Sequence, residues 1–280
     1  MKATIYDFPY KRLKNLRWFY RVTNTMTQNR KERICTLLKG IETGDASSVS
    51  VVNEQKYIQH NPQTQEGGEG LAVLFKRLSK SNPRVNIVRI FEDGDYIFAQ
   101  TEYDFSSSNI GFEVFHFEGD QTDEHWDNIQ KRLGPNQSGH SMVDGITEIT
   151  DIEKTEVNRK FVNAFVNQVL INNQLETLED YIDKDHYTEH NPLLSDNLSA
   201  LKIALSNNTK NSIRVIQYEK NHRFLAEGNF VLSVCEGSFN GKHSAFYDLF
   251  RIANGKIVEH WDTTEAIPPR TEWKNDNGKF

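Results

Sequence analysis

Four carboxylates recur in two pairs at one spacing. Glu113 precedes Asp127 by fourteen residues, and Asp248 precedes Asp262 by the same interval. Each second member closes a Glu-His-Trp-Asp run, Glu124-His125-Trp126-Asp127 and Glu259-His260-Trp261-Asp262. Side chains alternate along a strand, so Val258, His260 and Asp262 share one face while Glu259 and Trp261 share the other. On the preceding segment Phe246, Asp248 and Phe250 share a face, and Asn254-Gly255 is a hairpin signal that pairs the two strands. Asp248 and Asp262 are therefore expected to point into one cavity, and Glu113 and Asp127 into another. A carboxylate facing an aromatic-lined cavity is poorly solvated, which raises its proton affinity and suits it to general-base work. A second acid or an imidazole nearby can donate a hydrogen bond to a developing enolate. The histidines of two repeated motifs, His60, His190, His125 and His260, are the candidate donors.

His60 and His190 belong to the second motif, Tyr57-Ile58-Gln59-His60-Asn61-Pro62 and Tyr187-Thr188-Glu189-His190-Asn191-Pro192. Proline pushes the preceding residue out of the helical region, so Asn61 and Asn191 are expected to be extended or turning. These two asparagines, the four histidines, Trp126 and Trp261 make up the candidate ligand-binding set. Plainer readings stand beside it: a turn-forming role for His60 and His190, packing for the tryptophans, an ion pair with Arg251 for the aspartate. No Cys-x-x-Cys spacing occurs, and neither does a phosphate-binding glycine loop or a nucleophile elbow. No metal and no cofactor is expected.

The repeats fix the domain organisation. Offsets between matching blocks run from 130 to 135 residues, with Gly94-Asp95-Tyr96-Ile97-Phe98 echoed by Gly228-Asn229-Phe230-Val231-Leu232 and Phe112-Glu113-Val114-Phe115 by Tyr247-Asp248-Leu249-Phe250. That period is a whole domain rather than a solenoid unit of ~20–50 residues. Two domains are predicted, 29–146 and 147–280, after a leader over 1–28. In each, apolar residues at helical spacing come first: Ile34, Leu37, Leu38 and Ile41 in a helix over 29–43, and Val157, Phe161, Phe165 and Leu170 in one over 155–171. Short helices follow over 69–78 and 197–205. Four strands then complete each copy: 85–91, 96–104, 111–117 and 123–129, and 213–219, 230–239, 244–252 and 256–262. Helices followed by antiparallel strands argue for α+β, with N-terminal helices covering one face of a curved sheet.

Charge excludes some partners. The chain carries a net charge of −6, yet residues 1–33 hold nine Lys/Arg against Asp7 and Glu32. The acidic body beyond them would repel nucleic acid. The basic start, with Trp18-Phe19-Tyr20, lacks the apolar core of a secretory signal, and no apolar run is long enough to span a bilayer. Two cysteines, Cys35 and Cys235, at non-equivalent positions suggest a reducing, cytoplasmic setting.

Taken together, the Tyr-x-x-His-Asn-Pro block, the run from Asp248 through Asn254-Gly255-Lys256 to Asp262, and Ile267-Pro268-Pro269 beyond it resemble the SnoaL-like polyketide cyclase family. The branch described as predicted aldol-condensation enzymes is the nearest in pattern. The resemblance covers 29–142 and 151–280. It implies the cone-shaped α+β fold of ketosteroid isomerases and nuclear transport factor 2, twice in tandem. It also implies acid/base chemistry beside a carbonyl without metal or organic cofactor: cyclisation, aldol condensation, isomerisation or dehydration, as a cyclase, isomerase or lyase. Carried across, the base is Asp262 in one copy and Asp127 in the other, with Asp248 and Glu113 where cyclases keep a second polar group, often histidine. The expected ligand is a small apolar carbonyl compound bound in each domain. The copies are expected to pack as an intrachain pseudo-dimer through the tryptophan faces, with further homo-oligomerisation left open. The rival reading is a non-catalytic ligand-binding or assembly module, since the fold alone does not imply activity. Epoxide hydrolysis on the same fold would need Asp, Asn and Arg around one water, and Arg251 is expected on the wrong strand face.

Overall fold

A computed structural model describes residues 30–105, 107–206 and 215–280. The basic leader expected over 1–28 and the predicted strand start at Ile213 lie outside the described residues. The first helix, α1 (30–43), buries the apolar stripe read from its spacing, Ile34, Leu37, Leu38 and Ile41. It stops where Gly44 turns left-handed at φ +68°. There follow β1 (Ile58–Gln59), α2 (Gly67–Leu78), β2 (Arg84–Asp93), β3 (Tyr96–Asp104), β4 (Ser108–Glu118) and β5 (Gln121–Lys131). The second half repeats the plan. Helix α3 (Thr155–Phe165) widens into a π-helical turn over Val166–Ile171, and α4 (Leu178–Tyr181), β6 (Thr188–Glu189) and α5 (Leu198–Leu205) come next. The strands β7 (Ile216–Glu227), β8 (Phe230–Phe239), β9 (Lys242–Ala253) and β10 (Lys256–Ala266) complete it.

Each half is a five-stranded sheet, in the orders β1-β5-β4-β3-β2 and β6-β10-β9-β8-β7. The long strands pair antiparallel, whereas the two-residue strands β1 and β6 lie parallel to β5 and β10. The architecture is α+β twice in tandem, as expected. Strand β7 runs well past the predicted end at Glu219. Register shifts between Tyr218 and Lys220 and between Asn221 and Arg223 break the alternation there, so the polar run does not read as a strand.

Each sheet has two buried faces. The inner face of the first packs on α1 and α2 through Leu37, Leu71, Phe75 and Phe115, and that of the second on α3 and α5 through Phe165, Leu201 and Phe250. The outer faces share one cluster, in which Phe98, Phe112 and Trp126 meet Leu232, Tyr247 and Trp261. Burying aromatic side chains of this size contributes about 2 kcal/mol or more each. Polar ties cross the same junction: Asn128 Nδ2 donates to Thr263 O (2.7 Å), Thr264 N to Gln130 Oε1 (2.7 Å) and Ile129 N to Glu265 Oε2 (3.2 Å). Alternation along β5 and β10 does the rest. With Trp126 and Trp261 outward, His125, Asp127, His260 and Asp262 must face inward.

The segments that leave the two sheets are exchanged. Residues after β5 run onto the second half, where Asn136 Nδ2 donates to Glu189 O (2.6 Å) and Ser141 O meets His190 Nδ1 (2.8 Å). Residues after β10 run onto the first, where Asn277 Nδ2 donates to Gln59 O (3.0 Å) and Gly278 O meets His60 Nδ1 (2.9 Å). Among the described residues, no helix is long and apolar enough to cross a membrane.

Candidate active site

Register brings the carboxylates together. Glu113 on β4 lies directly opposite Asp127 on β5, and Asp248 on β9 opposite Asp262 on β10. In the first domain both line a cavity of about 210 Å³. Its walls are mainly apolar, including Leu37, Leu71, Phe75, Phe105, Phe115 and Ile129, and its polar residues include Tyr57, Gln59, Asn61, Arg77, Tyr103, Glu113, His125 and Asp127. Asn61 Nδ2 donates to Asp127 Oδ2 (2.6 Å), which aims the carboxylate. The other oxygen, Oδ1, has no hydrogen-bond partner among the described residues, and neither does the buried Tyr57 hydroxyl.

His125 links two of these groups. Its Nδ1 lies 3.1 Å from Gln59 Oε1, an oxygen that already accepts from Asn61 N (2.8 Å), so Nδ1 carries the proton and donates. Nε2 then shares a proton with Glu113 Oε2 at 2.8 Å, while Tyr103 donates to Glu113 Oε1 (2.7 Å). Burial pushes the Glu113 carboxyl above its ordinary range, and the Asp127 charge adds to this against the pull of His125 and Tyr103. Burial, with the charges of Glu113 and Asp127, also holds the Tyr57 hydroxyl well above its usual range, so it stays a donor. The arrangement sets a dehydrated carboxylate, a shared-proton pair and an unengaged phenol around one apolar space. That is equipment for taking a proton from carbon and stabilising the resulting oxyanion.

The second domain keeps the residues and loses the space. Asn191, Asp248, His260 and Asp262 converge as expected, but the cavity they line with Tyr187, Tyr218, Leu201 and Leu205 measures only about 30 Å³. A carbonyl ligand in each domain, as the sequence suggested, does not fit this interior. Glu189 replaces Gln59, so His260 sits between two carboxylates: Nδ1 is 2.9 Å from Glu189 Oε1 and Nε2 is 3.2 Å from Asp248 Oδ1. Burial opposes its charge, yet Glu189 and Asp248 hold the imidazolium well above the usual histidine range. Tyr187, the counterpart of Tyr57, spends its hydroxyl on Glu189 Oε2 (2.6 Å). Asp262 accepts from Asn191 (2.8 Å), and burial, aided by Asp248 and Glu189, pushes it up to about 7.

Four expected ligand-binding residues belong elsewhere. His60 stacks on Trp126 and His190 on Trp261, each with ring centroids 4.7 Å apart, on the outer side of the sheets. The second nitrogens of these histidines meet Glu124 (2.8 Å) and Glu259 (3.0 Å). They fasten the exchanged segments, and neither they nor the tryptophans line either of these two cavities. Arg251 pairs with Glu259 at 2.5 Å, away from Asp262, as its strand face required.

Sequence reasoning passed over Tyr57, Gln59 and Tyr103, and over Lys279, whose Nζ lies 3.5 Å from Asp127 Oδ1. Tyr57 and Gln59 sat inside a repeated motif, and the Gln59/Glu189 difference between copies was the available signal. Nothing local marked Lys279. Glu113, His125 and Asp127 are also close enough to be weighed as a metal cluster, with one donor atom from each within 4.8 Å of the others. The donor set argues otherwise: His125 Nε2 is spent on Glu113, Asp127 Oδ2 on Asn61, and the Lys279 ammonium already stands beside Oδ1.

No family model matches the chain, and no curated protein is similar to it in sequence at a significant level. Solved structures do match. An NTF2-like protein of unknown function from Burkholderia xenovorans is 19% identical over 45% of this chain and 99% of that one, with a TM-score of 0.34. TsrD from Streptomyces laurentii is 17% identical over 38% of this chain and 89% of that one, at 0.33. An epoxide hydrolase from M. tuberculosis is 16% identical over 37% and 84%, at 0.32.

Proposed function

We propose that the first domain is a general acid/base site that removes a proton next to the carbonyl of a small apolar compound. The observation that carries this is the Asp127 carboxylate in an apolar space of about 210 Å³, opposite the Glu113–His125 pair. Asp127 takes the α-proton through Oδ1, which accepts no hydrogen bond among the described residues and has the Lys279 ammonium 3.5 Å away. The Tyr57 hydroxyl donates to the developing enolate oxygen, and the proton shared by Glu113 and His125 is available for return to carbon or to a leaving hydroxyl. Aldol condensation, cyclisation, isomerisation and dehydration all use this step, and the substrate's own functional groups decide among them. The cavity suits a ligand of one or two rings, since drug-sized pockets start at ~300 Å³.

In this reading the units are 29–146 and 147–280, packed as an intrachain pseudo-dimer, and the second is an assembly half. Its filled interior favours that role. A cytoplasmic setting agrees with free Cys35 and Cys235. The test is deuterium exchange at the α-carbon of a panel of small aromatic and alicyclic ketones in D2O, followed by proton NMR. Enzyme-dependent exchange that disappears in Asp127→Asn supports the reading. Exchange that survives Asp127→Asn unchanged rejects it. Saturable ketone binding without exchange would instead support the non-catalytic binding module.

A further inference from the structure

We propose that Lys279, delivered by the segment after β10, is a positioning residue of the first domain's site that serves as counter-ion to the Asp127 carboxylate, the base. This rests on the reading of Asp127 as that base.

The geometry is that of a built ion cluster. Lys279 is buried, with Nζ 2.6 Å from Glu265 Oε2 and 3.5 Å from Asp127 Oδ1. An ammonium is tolerated there only because it is paired, and the same holds for the carboxylates. Its segment is fastened to the loop that shapes the cavity. Lys274 N donates to Pro62 O (2.8 Å), Asn275 Nδ2 to Asn61 O (2.8 Å) and Thr64 O (3.0 Å), and Asn277 Nδ2 to Gln59 O (3.0 Å). Phe280 stacks on His222 at 4.1 Å and closes the far end. Lys279 is thus held as firmly as the residues it serves, and it comes from the opposite half of the molecule.

The charged and titratable groups around Asp127 come from every neighbouring element: Arg77 on α2, Glu113 on β4, His125 on β5, Tyr57 before β1, Tyr103 on β3, Tyr247 on β9, Glu265 on β10 and Lys279. Among the described residues, only Lys279 brings a permanent positive charge within 4.0 Å of Asp127. The second domain supplies the comparison. Asp262 has the same asparagine partner, but no Lys or Arg among the described residues lies within 4.0 Å, and Gln130 takes the pseudo-symmetric place of Glu265. Burial there leaves the carboxyl at about 7. Lys279 keeps its own proton, since Glu265 and Asp127 outweigh the effect of burial. Duplication has therefore given the two copies different work: one keeps a cavity, and the other contributes the cation that its partner's base needs.

The experiment is the pH profile of ketone exchange in the full chain, for wild type, Lys279→Met, Lys279→Arg and Glu265→Gln. An opposite charge at this range moves a carboxyl by about one to three pH units. Lys279→Met is expected to move the acidic limb upward by that amount while the alkaline plateau stays within about threefold, and Lys279→Arg to restore most of the shift. Glu265→Gln, which gives Lys279 wholly to Asp127, is expected to move the limb downward. A uniform rate loss at all pH in Lys279→Met, or shifts of the same sign in Lys279→Met and Glu265→Gln, would overturn the proposal. Should Lys279→Met fail to fold by circular dichroism, Glu265→Gln decides alone, and an unmoved limb overturns it. Asp127→Asn is the separate arm. Exchange unchanged in that variant removes the base itself, whereas exchange lost there with no limb shift elsewhere removes only Lys279's role.

Discussion

Gln59 and Glu189 occupy the same place in the two halves, each within 3.1 Å of the Nδ1 of its cavity histidine, and they set that histidine to different tasks. The neutral amide leaves His125 to share one proton with Glu113 and leaves the Tyr57 hydroxyl unengaged. The carboxylate fixes His260 as an imidazolium and ties up Tyr187.

Gln59→Glu should therefore convert the working copy into the likeness of the other. His125 would be held between two carboxylates, and Tyr57 would turn to the new acceptor as Tyr187 does. General acid/base assistance is worth about 10²–10⁴-fold, so exchange should fall by about 10² or more. The imidazole nitrogen shifts of His125 in NMR should report a doubly protonated ring at neutral pH. A ring that still loses a proton near neutrality would refute the account.

The second domain should carry a pH-dependent stability of calculable sign. Asp262 has a folded value of about 7, above the ~3.9 of an unfolded aspartate, so the folded state binds more protons between these limits. Its contribution is full below about pH 4 and is lost as pH rises to 7, at about 1.4 kcal/mol per unit. His260 acts in the same direction at higher pH. Its raised affinity stabilises the fold fully below the ~6.5 of an unfolded histidine, and this is lost as pH climbs through the folded value. Asp262→Asn keeps an acceptor for Asn191 and removes the first effect. The melting temperature of the variant should gain on wild type from pH 5 to pH 8, and a constant difference would contradict the burial argument.

Strand alternation was enough to read which residues share a face, and the fourteen-residue spacing was enough to pair Glu113 with Asp127 and Asp248 with Asp262. The histidine beside proline was misread because a sequence does not say which side of β1 carries His60. Parallel pairing of Ile58 and Gln59 with Glu124 and His125 sends Gln59 inward and His60 outward, and that pairing is long-range. Cavity size was also hidden. Domains with the same carboxylate, asparagine and histidine enclose about 210 and about 30 Å³, a difference set by packing volume rather than by motif. Lys279 was invisible for the same kind of reason, since its partner lies 152 positions away in the other copy.

Ligand occupancy should follow volume. Titrating a small aromatic ketone into methyl-labelled protein should shift the Leu37, Leu71 and Leu74 signals at the first cavity and leave those of Leu170, Leu201 and Leu205 in place. Equal perturbation of both sets would show that the second interior opens in solution.

The junction between the halves should be unequal in strength despite its pseudo-symmetry. Arg89 lies over Trp261 at 4.0 Å and Arg223 over Trp126 at 3.6 Å, a matched pair of cation–π contacts. Arg89 does more. It donates to the carbonyls of Val143 (3.1 Å), Asp144 (2.6 Å) and Ile146 (2.8 Å), the segment exchanged onto the second half, and to Gln100 Oε1 (2.6 Å). It is buried, and desolvation lowers its proton affinity to about 10, still far above neutrality. Arg89→Met would keep much of the apolar packing on Trp261 but strip several buried carbonyls of their donor, each costing about 1–3 kcal/mol. A total of about 3 kcal/mol or more is expected by urea denaturation. Arg223→Met forfeits chiefly the contact with the rings of Trp126 and Tyr96 and should cost about 1 kcal/mol. Equal losses for the two variants would mean that the cation–π contacts, rather than the hold on residues 143–146, carry the junction.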